Sequence, residues 1–139
     1  MLKQSLLVAA ALCSVAVAIL HIYVIAKGPW AYRFFGAGEG LATLAEQGSW
    51  IPTLLTSGIA IVFFVFSAYY FAAAGWLPQL PLFKVGLIGI AALYTLRGAV
   101  VIPAIVVGMK LSPFDWWSSL LSLAIGLLHC AGAWLALRP

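Results

Sequence analysis

The sequence predicts an all-α fold, an integral membrane four-helix antiparallel bundle (up-down-up-down) with a short interfacial helix in the first loop. Three observations carry that expectation. Of 139 residues, 65% are hydrophobic and only 7% are charged, where soluble domains carry roughly a quarter charged residues; mean hydropathy is +1.16. Residues 4–26, 47–83 and 116–137 contain no Asp, Glu, Lys or Arg, and about 20 apolar residues suffice to cross a hydrocarbon core as a helix. Trp30, Trp50, Trp116 and Trp117 stand at one set of run ends and Trp76 and Trp134 at the other, as aromatic belts at two interfaces require.

These observations exclude most soluble enzymes, because a water-facing surface cannot be assembled from so few polar residues. They also exclude nucleic acid as a partner. The net charge is +4, but Lys3, Lys27, Arg33, Lys84, Arg97, Lys110 and Arg138 are dispersed, and phosphate recognition needs them clustered. Most stand at the ends of apolar runs, at headgroup depth.

A single transmembrane domain over residues 1–139 is expected, with spans near 5–26, 51–74, 85–108 and 116–137. Lys3, an apolar stretch and the small residues Ala16, Val17 and Ala18 resemble a signal peptide. The apolar run continues to Ala26, however, which favours a span. Leu12 before Cys13 is too bulky for a lipoprotein signal.

In the loop from Lys27 to Ser49, Gly36, Gly38 and Gly40 lack both the preceding strand and the spacing of a nucleotide-binding turn. Leu41, Leu44 and Ala45 at helical spacing, followed by Gly48, instead predict the short interfacial helix. The third span carries Arg97 and is bent by Pro103. With four spans, Lys3, Lys84 and Arg138 share the terminal face, and Lys27, Arg33 and Lys110 the loop face, a tie in the positive-inside count. Glu39, Glu46 and Asp115 all fall on the loop face. That asymmetry favours cytoplasmic termini, most simply in a bacterial inner membrane.

Lipid gives little hydrophobic drive for pairing helices, so small and polar residues mark the buried seams. The expected stripes are Ala10, Ser14, Ala18 and His21 in the first span, and Thr53, Ser57, Ala60, Phe64 and Ser67 in the second. In the third they are Gly86, Ile90, Tyr94, Arg97, Val101, Ala104 and Gly108. Ser118, Ser122, Gly126, His129 and Ala133 form the fourth.

Arg97 stands about 17 Å from either end of its span, and an arginine at such depth normally faces a partner or a wet cavity. No expected span contains Asp or Glu. Its expected partners are a carbonyl, Tyr94, an inward-folded Glu39 or Glu46, water, or an anionic ligand matched to the guanidinium fork. His129, about 12 Å deep, is on a stripe that can bring it to Arg97. His21 is nearer the interface. A bis-histidine haem is rejected because the two histidines differ in depth by about 13 Å. Cys13 and Cys130 are isolated and read as small packing residues, so neither a metal nor a cofactor is expected.

The leading functional expectation is binding or transport of an anionic or neutral amphipathic, lipid-like molecule at a buried polar site between helices. Arg97, His129, Tyr94, Ser122 and His21 would hold its head, with Arg33, Glu39 and Glu46 as loop-side polar residues. Membrane lipids and an amphipathic small molecule are the expected partners. One alternative is a membrane-embedded accessory subunit whose small-residue faces dock a second copy or a membrane protein. The other is an interfacial lipid-modifying enzyme, which needs Glu39, Glu46 or Asp115 within hydrogen-bond reach of a histidine or tyrosine. The sequence shows no catalytic grouping and leans away from an enzyme.

Overall fold

A computed structural model describes residues 1–138, all in helices and connecting turns. The helices are α1 (Leu2–Lys27), α2 (Pro29–Phe34), α3 (Glu39–Glu46), α4 (Ile51–Ala73), α5 (Phe83–Ala99), α6 (Val101–Val106) and α7 (Pro113–Leu137). Four segments are long and apolar enough to cross a bilayer: Leu2–Lys27, Ile51–Ala73, Phe83–Val106 and Pro113–Leu137. The chain is therefore an all-α integral membrane protein with the elements of a four-helix bundle. The expected loop helix is α3, ended by Gly48 at φ 76°.

Local chemistry explains where the ends depart from expectation. Ser112 and Asp115 form a reciprocal capping box, with Pro113 in the first turn, so α7 begins three residues before the expected Trp116. Pro113 needs no amide partner there. The third span breaks at Val100, between α5 and α6. Pro103 supplies no N–H for the Ala99 carbonyl and its ring crowds that carbonyl, which bends the helix at this point. α2 was not expected. Its signal was Gly28-Pro29, with proline at the first helical position.

At the other end of α4, Gly75 takes φ 83°, a conformation with little steric cost only for glycine. The Trp76 amide then donates to the Phe71 carbonyl at 2.9 Å and the Gly75 amide to Ala72 at 3.1 Å, which satisfies carbonyls a helix end leaves open. The Trp76 and Phe71 rings stack at 5.3 Å. Tyr69 closes the following turn by donating from its hydroxyl to the Pro81 carbonyl at 2.7 Å.

The chain divides into two compact units, one of residues 1–13 and 66–138 and the other of residues 14–65. In the first, α5 and α7 approach closely through small residues. A Cβ at Gly126 would lie 2.7 Å from the Thr95 amide nitrogen, and one at Gly98 would lie 2.5 Å from that of Leu123. These contacts are with backbone, so no rotamer change relieves them. Ser122 donates across the same seam to the Tyr94 carbonyl at 3.0 Å. On α7 the buried positions are Ser119, Ile125, Gly126, His129, Gly132 and Ala133, close to the expected stripe, with Ser119 rather than Ser118 at its start.

α5 buries Leu87, Ile90, Ala91, Tyr94 and Gly98. Its stripe therefore passes through Gly98 and leaves Arg97 exposed, which corrects the expectation that Arg97 shares the inward side. The reason is the close approach at Gly98, which turns the neighbouring Cβ about 100° away from the seam. α4 likewise buries Pro52 and Thr56 while Thr53 is exposed, so the expected register is off by one over its first turns and rejoins it at Ala60 and Ser67.

In the second unit, Val24, Ala31, Tyr32 and Ala42 form a buried cluster with Phe35, Leu41 and Ala45 packed on it. This gathers α2, α3 and the end of α1 around one small core. Thr56 donates to the Tyr32 hydroxyl at 3.4 Å, within the same unit.

Candidate functional site

The Arg97 guanidinium donates from Nη1 to the Ser119 hydroxyl and from Nη2 to the Ser118 hydroxyl, each at 3.2 Å. Both acceptors are neutral and belong to the second turn of α7. A guanidinium has five N–H donors, so these bonds leave most of its capacity open. Asp115, one turn earlier on α7, is in electrostatic range of Arg97. Its carboxylate oxygen Oδ2 is taken by the Ser112 hydroxyl at 2.7 Å and the Ser112 amide at 3.0 Å. Measured along α7, the guanidinium lies about 9 Å from the start of the helix. That is shallower than the mid-depth its own span suggests.

His129 is fully buried. Its Nδ1 donates to the Ile125 carbonyl at 2.8 Å, because a carbonyl oxygen only accepts. The ring packs against Tyr94 at 4.7 Å between centroids and edge-on against Tyr70 at 4.4 Å. Phe66 adds an edge contact to Tyr94 at 6.2 Å. The Tyr70 hydroxyl donates to the main-chain carbonyls of Leu87 and His129 at 3.1 and 2.9 Å. This is a filled aromatic core joining α4, α5 and α7.

The structure thus brings together His129, Tyr94 and Ser122 from the expected site and leaves Arg97 outside the group. His129 is ten residues beyond Ser119, about 15 Å along α7. A single buried site centred on Arg97 is replaced by a closed aromatic core and a separate, exposed arginine. His21 belongs to the other unit, where Nδ1 donates to the Val17 carbonyl at 2.8 Å and the ring packs on Phe63 at 5.1 Å.

The loop-side residues form an ionic clamp. Arg33 Nε donates to both Glu39 carboxylate oxygens at 3.0 and 2.9 Å, Nη2 to Glu39 at 2.6 Å, and Nη1 to Glu46 at 2.6 Å. These bonds hold both carboxyls below the usual glutamate range and raise the guanidinium further above its own. Glu39 and Glu46 therefore face an arginine, not the histidine or tyrosine that acid-base chemistry would require. Sequence reasoning missed Tyr70 and Ser119. Tyr70 lies four residues before the end of an apolar run, and nothing in its spacing announces a hydroxyl shared between two other helices.

An open cleft of about 480 Å³ lies away from Arg97, between the 79–85 turn and the end of α7. Cys13 and Cys130 are free thiols. No protein family, no curated protein and no solved structure matches this chain.

Proposed function

We propose that this chain is a bacterial inner-membrane protein, with both termini cytoplasmic, that holds or carries an anionic amphiphile through its lipid-facing side. The acidic head bonds the Arg97 guanidinium and the apolar tail lies along Leu93, Leu96 and Val100. One observation carries the reading: Arg97 lies in a membrane-length segment, is exposed, and bonds only the neutral hydroxyls of Ser118 and Ser119. An intramembrane arginine in that state is stabilised by an anion with two acceptor oxygens. Leu93, Leu96 and Val100 are 49%, 69% and 57% exposed, which provides the apolar flank. The orientation rests on the three acids on the loop face.

The test is native mass spectrometry of the gently solubilised protein beside Arg97→Gln. A retained acid-headed amphiphile that the variant loses supports the reading. Two bare, identical proteins overturn it. A second reading, an accessory subunit, draws on the same outward exposure, with a carboxylate on a partner helix meeting Arg97. In that case Arg97→Gln changes copy number or the co-purified protein and not the retained small molecule.

A further inference from the structure

The cleft between the 79–85 turn and the end of α7 carries an inference independent of Arg97. Its wall includes Gln79, Leu82, Lys84, Val85, Leu137 and Arg138. Two of these are cations and none is an acid; the three acids of the chain are Glu39, Glu46 and Asp115. Lys84 and Arg138 have no carboxylate partner among the described residues. Two positive groups lining one cleft favour an anion between them. Arg138 is also oriented. Its guanidinium carbon sits 3.1 Å from the Trp134 ring centroid, so one face is stacked and its N–H edges remain for a ligand.

Depth selects the ligand. Trp134 and Trp76, each 59% exposed, mark the level at which tryptophan meets lipid headgroups. Leu82 and Val85, 77% and 66% exposed, supply apolar wall beside the cations. A volume near 480 Å³ is within the usual range for small-molecule sites. We infer that this cleft is a binding site for a phosphate ester, held between Lys84 and Arg138 with Gln79 as a further donor, as in the headgroup of an anionic phospholipid.

The test titrates phosphatidylglycerol, phosphatidylcholine and inorganic phosphate separately against the purified full-length protein, read by native mass spectrometry. The variants are K84Q/R138Q and, with the same charge change elsewhere, K3Q/K110Q. Wild type and K3Q/K110Q are expected to retain phosphatidylglycerol about tenfold better than K84Q/R138Q, with little phosphatidylcholine on any of them. The swapped variant K84R/R138K restores binding, which separates lost recognition from a damaged fold. If inorganic phosphate binds with the same dependence on Lys84 and Arg138 and the lipid does not, the phosphate comes from a soluble ester. Equal retention by K84Q/R138Q and wild type, or an equal loss in K3Q/K110Q, overturns the inference. Arg97→Gln leaves this binding unchanged, so failure here is distinct from failure of the Arg97 reading.

Discussion

The Tyr70 hydroxyl donates to the main-chain carbonyl of His129 at 2.9 Å, joining α4 to α7 within the buried core. The same hydroxyl reaches the Leu87 carbonyl of α5 at 3.1 Å, so one proton is shared between two helices. Interhelical hydrogen bonds in membrane proteins average about 0.6 kcal/mol and reach about 1.7 kcal/mol. Tyr70→Phe keeps the ring against His129 and removes only this link. It should lower stability by about 1 kcal/mol in a detergent unfolding titration, and an unchanged midpoint would show that the carbonyls are satisfied without it.

The α5–α7 seam predicts opposite outcomes for two glycines. Gly126→Ala places a Cβ 2.7 Å from the Thr95 backbone nitrogen, forcing the helices apart at a cost of about 1–3 kcal/mol. Gly89→Ala meets nothing within 4 Å and gains helix propensity, up to about 1 kcal/mol. Thermal unfolding of both variants beside wild type tests the register directly. Equal effects would mean that the close approach is absent.

Arg97 and the serines of α7 should be energetically coupled. In a double-mutant cycle between Arg97→Gln and S118A/S119A, the interaction term is expected near 1 kcal/mol. Additive losses would place the guanidinium elsewhere, away from the second turn of α7. Ligand retention is a separate readout, because the serine pair can be removed while the guanidinium stays.

The loop clamp gives a pH dependence of defined sign. Glu39 and Glu46 have folded-state pKa values below the ordinary one, the first cause being their hydrogen bonds from Arg33. Stability from such groups is fully present above the unfolded carboxylate pKa of about 4.3 and is lost as pH falls through the lowered folded value. The stability gap between wild type and E39Q/E46Q should therefore be present at neutral pH and close under acid. Because all three side chains are well exposed, added salt should narrow it as well. A gap that persists unchanged into acid would remove the clamp as its cause.

The membrane class, the four spans and the α3 helix were legible in the sequence because they depend on local sums. A run of apolar residues must be lipid-covered whatever it packs against, and a capping or breaking residue acts on its own turn. Even the missed helix α2 and the early start of α7 were written locally, in Gly28-Pro29 and in the Ser112–Asp115 box. Stripes of small residues also located most buried faces, since only small side chains let helices touch in lipid.

The position of Arg97 could not be read in the same way. One residue along a helix turns a side chain by about 100°, and either Arg97 or Gly98 fits a stripe that contains Tyr94. The choice falls to Gly98 because the backbone of Leu123 lies where a Cβ would be, and that is a fact about another helix. Likewise Arg33, Glu39 and Glu46 are each ordinary loop charges until α3 packs against Tyr32 of α2. The sequence by itself determined that this protein lives in lipid and how many times its chain can cross. Only the tertiary structure decided which side chains meet, because contact depends on the distance and rotation between helices, which no local sum contains.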